Sequence, residues 1–530
     1  MLRDGMADEQ DRYTGGGSIV LASIVGLVSL GLFVLFASLD AGAWPRLALE
    51  SFASPGSGDA LIGYGEVAVG VLAVAVTVVS IIVELAASRF SHRVVDVFLR
   101  DAVALVGLAF YVVTCLLLVW TGLALADGAY GDGPSLLVGA TTLALSTSLL
   151  SLLPYFTYVF DLLRPRRIIE RMEARVRRSL SRALASPADA ARLEDLFQAI
   201  AELGELAMRS TLHKDKALAS QSVNALTTMT LDYIAQKPKL PDAWFRMGGV
   251  LRADADFVAY HGTVIRQHIT DRTGLEMKVL LQLFAAYREA SDTSRELEHL
   301  MAIEVRQLGV AAAELGDVRV VDVCLRFLNS MMRSAINRKV VRTAFNVLGE
   351  CRQLAEGVLG TDAQPLALRI GESLRSYGQT AFQRKMPFVL ETAAHDLCTL
   401  VEVLAEVGGA EHDPLLDILL EVDREPGASE VQEASLLGVR RAQVRLATFY
   451  LAMGDDRRAV RIVRDVEREP QHRLDSIRAE LEASREEMFW EVSDRGVDMN
   501  WLPPNRRRFL AMFFEMVAQA KAGELADPVG

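Results

Sequence analysis

The sequence predicts an all-α protein in two parts, a four-helix transmembrane domain followed by an all-helical cytoplasmic domain of degenerate, tetratricopeptide-like helical repeats. Three observations carry this reading. Of 530 residues 51% are apolar, yet residues 1–164 hold only 7 of the 56 basic and 14 of the 68 acidic side chains. Four stretches, Tyr13 to Leu39, Val67 to Val83, Ala102 to Ala126 and Gly133 to Phe160, contain no Asp, Glu, Lys or Arg. Beyond them, apolar positions recur at the 3.6-residue period of a helix, with hardly any strand-like alternation. The apolar fraction and a mean hydropathy of +0.23 exclude a disordered, collagen-like or disulfide-stapled chain.

A helix needs about 20 apolar residues to cross a hydrocarbon core of roughly 30 Å. Spans are therefore expected at about 17–39, 61–87, 102–126 and 135–160. The first reads as an anchor, because Asp4, Asp8, Glu9 and Asp11 stand where a cleavable signal needs basic residues. Orientation follows from the arginines. Arg164, Arg166, Arg167, Arg171, Arg175, Arg177 and Arg178 follow the fourth span, and Arg89, Arg93 and Arg100 lie between the second and third, against Arg46 alone in the other two loops. Basic loops stay inside, so both termini are expected in the cytoplasm.

Glu66 and Glu84 flank the second span 18 residues apart, which places them on one helix face roughly 27 Å apart. They read either as carboxylates at the two mouths of a cation path or as groups that each snorkel to their own interface. The spacing favours the second reading, since it spares both the bilayer midplane. Ser18, Ala22 and Gly26 in the first span, and Thr141, Thr142, Ser146, Thr147, Ser148 and Ser151 in the fourth, offer close helix contacts, and the hydroxyls could equally line a pore.

The most distinctive text joins the second and third spans: Glu84-Leu85-Ala86-Ala87-Ser88-Arg89-Phe90-Ser91-His92-Arg93, then Phe98-Leu99-Arg100-Asp101. It resembles the bacterial membrane-protein family catalogued as domain of unknown function 2254, whose members carry a similar LASSxFSPR run and an FLRD tetrad between two membrane helices. Ser88, Phe90, Ser91, Arg93, Arg100 and Asp101 carry the match, which is best over residues 66–125. Members usually have Gln where this chain has Glu84 and Pro where it has His92. The resemblance implies a multi-pass membrane protein and no established activity. Phe90, Val94, Val97 and Phe98 recur at helical spacing, so the linker itself reads as an amphipathic elbow at the headgroup boundary.

Residues 165–185 read as a basic juxtamembrane helix, with Ile168, Met172, Val176 and Leu180 on one stripe and arginines elsewhere, suited to an anionic lipid surface. Over residues 186–530, the stripe Leu193, Leu196, Phe197, Ile200, Leu203 and Leu206 is typical, and prolines punctuate the helices. Leu446, Ala447, Tyr450, Gly454, Ala459 and Pro470 follow the tetratricopeptide pattern, as do Leu308, Gly309, Ala312 and Gly316 in part. The alternative is an irregular helical bundle.

No phosphate loop, HExxH, CxxC, GxSxG or GxGxxG occurs, so no catalytic residue, metal ligand or cofactor is assigned. Cys115, Cys324, Cys351 and Cys398 are isolated and read as buried thiols in a reducing compartment. Asp254, His261 and His268, with Asp256 nearby, would share a helix face, but seven-residue steps of roughly 10 Å are too wide for one metal. The loop His213-Lys214-Asp215-Lys216 reads as solvated. The chain has 8 Lys against 48 Arg, a bias that fits a GC-rich bacterial genome, and the net charge of −5 from residue 165 onward argues against nucleic-acid binding. The expected role is a non-enzymatic inner-membrane scaffold that binds a protein partner through its cytoplasmic helices. The alternative is an ion channel or transporter, a homo-oligomer because four helices are too few to enclose a wide pore.

Overall fold

The structure, a computed structural model, describes residues 57–89, 101–126, 135–162, 164–185, 190–246, 248–423, 430–489 and 494–525. These residues are helical and include no strand; a lone antiparallel bridge joins Met488 and Val497. Two compact units divide between Arg171 and Met172.

In the first unit, α1 (Ser57–Arg89), α2 (Ala102–Ala126) and α3 (Ser135–Leu162) pack on one another. All three are long and apolar enough to cross a membrane, over Gly65–Ala86, Ala102–Thr121 and Thr141–Leu162. Among the described residues three such helices stand where four were expected; the expected first span over 17–39, with Ser18, Ala22 and Gly26, lies outside them, as does the elbow over 90–100. Each helix buries one stripe. In α1 it is Gly65, Leu72, Ala75, Val79, Val83 and Ala86; in α2 it is Ala104, Tyr111, Thr114, Leu118 and Thr121. The other faces present Val67, Val74, Leu85, Val106 and Trp120, a surface for lipid chains and not for water. Gly107 is needed for packing: a Cβ there would meet the Tyr155 ring at 2.6 Å, so its absence lets α3 approach α2.

Helix α4 (Pro165–Ala185) contains the division between the units, and its stripe of Ile168, Met172, Val176 and Leu180 is buried. In the second unit α5 (Ala190–Leu212) and α6 (Lys216–Gln236) pair, and the chain then makes short turns including α7 (Gly248–Ala253) and α8 (Gly262–Thr270) before α9 (Gly274–Thr293). Hairpins follow: α10 (Arg295–Glu314) with α11 (Val318–Asn337), α12 (Val341–Val358) with α13 (Leu366–Gln383), α14 (Pro387–Val407) with α15 (His412–Leu420), and α16 (Glu430–Met453) with α17 (Asp456–Val466). The chain ends in α18 (Gln471–Ala483), a loop, and α19 (Pro504–Ala522).

Helices α6, α10, α12, α14, α16 and α19 pack side by side as a first row, while α9, α11, α13 and α15 form a second. The starts of α10, α12 and α14 at Arg295, Val341 and Pro387 are 46 residues apart each time. The expected tetratricopeptide repeat is not shown, since its unit is about 34 residues. Hairpin turns were legible in part. Gly316 and Gly454 adopt φ of 74° and 76°, the left-handed conformation that ends a helix, and the Asp317 and Asp455 side chains then cap the next helix by accepting from the Val320 and Arg458 amides. Lys214, Arg272, Lys339 and Lys385 adopt positive φ in the same way after α5, α8, α11 and α13.

Candidate functional site

Among the membrane candidates, the structure brings polar groups together between α2 and α3. The Thr121 and Thr141 hydroxyls meet at 2.9 Å, Ser151 donates to the Tyr111 hydroxyl at 3.2 Å, and Tyr155 donates to the Ala104 carbonyl at 3.3 Å. Ser146 and Thr147 donate back to the Thr142 and Leu143 carbonyls in their own helix. These bonds hold two helices together and satisfy hydroxyls where water is absent. Glu66 and Glu84 lie elsewhere, both exposed on α1 and away from its buried stripe.

Of the family-motif residues, Ser88 lies on α1, Asp101 is described in full, and Phe90, Ser91, Arg93 and Arg100 lie outside the described residues. Asp101 Oδ1 accepts the Ala104 amide at 3.0 Å and the Tyr158 hydroxyl at 2.7 Å. It therefore caps the start of α2 and ties it to the end of α3. Asp101→Ala is expected to lower the unfolding free energy of the detergent-solubilised protein by about 1–2 kcal/mol, with Tyr158→Phe reproducing part of the loss in the same melting experiment.

Five arginines of the cluster stand beside carboxylates, and Arg178 Nε donates to the Ala174 carbonyl at 3.0 Å. Arg164 and Arg167 each lie 3.2 Å from Asp161, Arg166 lies 3.0 Å from Glu170, Arg175 lies 3.5 Å from Glu202, and Arg177 stands 3.8 Å from Glu173. Arg171 and Arg178 are exposed. The proposed shared face of Asp254, His261 and His268 does not form, because the chain turns between them. Asp254 caps a short turn and binds buried Lys278 at 2.7 Å, His261 caps α8, and His268 meets the Thr273 hydroxyl at 2.8 Å. Among the described residues no cluster of His, Cys, Asp and Glu could hold a metal ion. In the loop after α5, Asp215 caps α6 through the Leu218 amide and Lys216 reaches Glu296 at 3.1 Å. Cys324, Cys351 and Cys398 are buried, Cys115 is half-buried, and none forms a disulfide.

What sequence reasoning missed is a groove of about 580 Å³ across α10, α12, α14 and α16, partly covered by residues 494–500. Three of its acids, one on α12 and two on α14, each meet an arginine. Glu350 accepts from Arg306 Nε and meets His299 Nε2 at 3.1 Å. Burial would raise its carboxyl, but these bonds outweigh that and leave it below the usual value. Fully buried Asp396 lies 3.2 Å from Arg352 Nε and accepts both terminal nitrogens of Arg495, at 2.6 and 3.1 Å. Despite its burial, the guanidinium groups of Arg495 and Arg352 hold it well below the carboxylate range. Glu391 accepts from Arg441 at 2.6 Å, and its burial prevails over that arginine to push the carboxyl up. His395 is different. Its Nδ1 stands 3.9 Å from Asp396, too far for a hydrogen bond, and both ring nitrogens are buried without a hydrogen-bond partner. Burial, reinforced by Arg445, pushes it down to about 4, so it is neutral at physiological pH. Phe345 and Phe388, their rings 5.6 Å apart, wall the groove.

The comparisons bear on the first part of the chain. Residues 17–234 match the family model described as a predicted membrane protein, DUF2254. That DUF2254 match extends well beyond the 66–125 window in which the motif was recognisable and ends within α6. It spans less than half of the chain, and the groove lies outside it. No curated protein and no solved structure matches the chain.

Proposed function

We propose that this chain is a multi-pass protein of the bacterial cytoplasmic membrane, with both termini inside, whose second unit is a non-enzymatic scaffold that docks short segments of partner proteins. One observation carries the reading: the groove across the first row already holds a stretch of the protein's own chain, through side chains inserted from Asp494 and Arg495. Three helix hairpins that begin 46 residues apart support it, since stacked units build long binding surfaces from neighbour contacts alone. The orientation rests on the arginines after α3. The engagement of Glu350, Asp396 and Glu391 by arginines, acid and base held in fixed pairs, also supports a binding role. For the competing channel reading, Glu66 and Glu84 face away from the helix seam, and a path past them would need a further span or a second copy.

Phe388 walls the groove yet is 40% exposed, so Phe388→Asp changes the surface without emptying the core. Full-length protein carrying it, purified from native membranes, is expected to lose a co-purifying protein that wild type and the second-row variant Arg384→Asp both retain. Identical co-purifying sets for all three contradict the docking role.

A further inference from the structure

Arg495 occupies the groove as a ligand would. Asp396 of α14 takes its two terminal nitrogens, and the Phe345 ring lies 4.1 Å from its guanidinium carbon. The Phe345 carbonyl accepts from the same guanidinium. Gly349, one turn further along α12, leaves the space for it: a Cβ there would stand 3.0–3.1 Å from the guanidinium atoms. Glycine inside a helix costs about 1 kcal/mol relative to alanine, and here the close approach of a flat cation accounts for it. The preceding residue is recognised as well. Asp494 accepts Nε and Nη2 of Arg342 at 2.7 Å each and Nδ2 of Asn346 at 2.8 Å. Arg342, Phe345, Asn346 and Gly349 follow the i, i+3, i+4, i+7 spacing of a single helix face. That face, with Asp396 opposite, reads an acid followed by an arginine.

The covering segment leaves part of the groove unused. Met488 and Val497 meet in one isolated bridge and are 76% and 45% exposed. The groove continues past Phe388, His395 and Thr399, and both ring nitrogens of His395 are buried there without hydrogen-bond partners, as is the Asn346 side-chain oxygen beside Asp494. Groups of that kind are costly to leave unmade, and the polar atoms of an incoming segment can match them.

Resting on the docking role above, we propose that the groove binds a partner segment that presents, at a bend, an acidic residue followed directly by arginine, and that Asp494–Arg495, at a bend before Gly496 (φ 67°), is the chain's own occupant of that slot, displaced when the partner enters. A tethered occupant competes at an effective concentration of about millimolar. The partner prevails through the contacts that the chain's own segment leaves unmade.

The probe is a fluorescently labelled peptide with the sequence of residues 487–499, added to detergent-solubilised full-length protein and followed by anisotropy. The double variant Asp494→Ala/Arg495→Ala, its fold checked by circular dichroism, is expected to bind the peptide at least about tenfold more tightly than wild type, whose slot is filled. The same peptide with glutamine in place of its arginine is expected to bind the double variant at least about tenfold more weakly. Equal binding by wild type and variant, or by the two peptides, overturns the proposal. If the peptide result fails while Phe388→Asp still loses its partner, the acid–arginine preference alone is rejected; if both fail, groove docking is rejected with it.

Discussion

Replacing Asp396 with leucine lowers the stability of the second unit by about 3–5 kcal/mol, the largest effect expected of a single substitution in the groove. The carboxylate is fully buried and is shared by Arg495, at 2.6 and 3.1 Å, and Arg352, at 3.2 Å. Its removal leaves the largely buried Arg495 guanidinium without the carboxylate that binds it, whereas Arg352 keeps Glu356 as a partner. The loss is therefore one of uncompensated charge more than of a favourable bond. Adding Arg495→Met to Asp396→Leu is expected to recover a substantial part of it, because a buried ion pair replaced on both sides by apolar groups costs little. Urea unfolding of the three variants, followed by tryptophan fluorescence, measures both effects. Additive losses in the double variant would show that the two side chains do not act as a pair.

Acidification from pH 6.5 to 4 removes about 3 kcal/mol of stability through His395 alone. Its folded value, pushed down to about 4 by burial and Arg445, lies below the ordinary histidine value of about 6.5. Between these two pH values the unfolded chain binds the proton more readily than the folded one, so stability is complete above 6.5 and falls as pH drops. Other groups titrate nearby. His412 and His268 are also lowered, chiefly by burial, and add in the same direction, while Glu391 and Glu276, raised by burial, protonate readily in the folded state and oppose it. The His395 contribution is isolated by comparison with His395→Gln. That variant is expected to lose markedly less stability than wild type across the window when unfolding is measured at several pH values. Parallel profiles would mean that the His395 ring is solvated and titrates normally.

Much of the fold could be read from the residues because burial there is dictated by composition. Charge-free runs leave a chain no choice but helix in a bilayer, and the bounds of α2 and α4 follow from where the charge and the prolines fall. Gly454 falls within the tetratricopeptide-like pattern read from the sequence, and the structure places a left-handed turn there with Asp455 capping the next helix. The groove had no such signature. His299, Glu350, Asp396 and Arg495 are spread over nearly 200 residues and meet only because α10, α12 and α14 pack side by side and the loop after α18 returns to them. A repeat near 46 residues without a fixed motif leaves that packing invisible in a single sequence. Asp254, His261 and His268 show the opposite error: a regular spacing suggested a shared face, and two capping turns, invited by aspartate and by His261-Gly262, broke the helix that the spacing assumed.

The most direct test of groove docking is photo-crosslinking in native membranes, with a benzophenone side chain placed at Gln353, which lines the groove, and at Arg384 in the second row. Docking through the groove predicts a discrete adduct of higher mass at Gln353 that is absent at Arg384. No adduct at Gln353, or the same adducts at both positions, would contradict it.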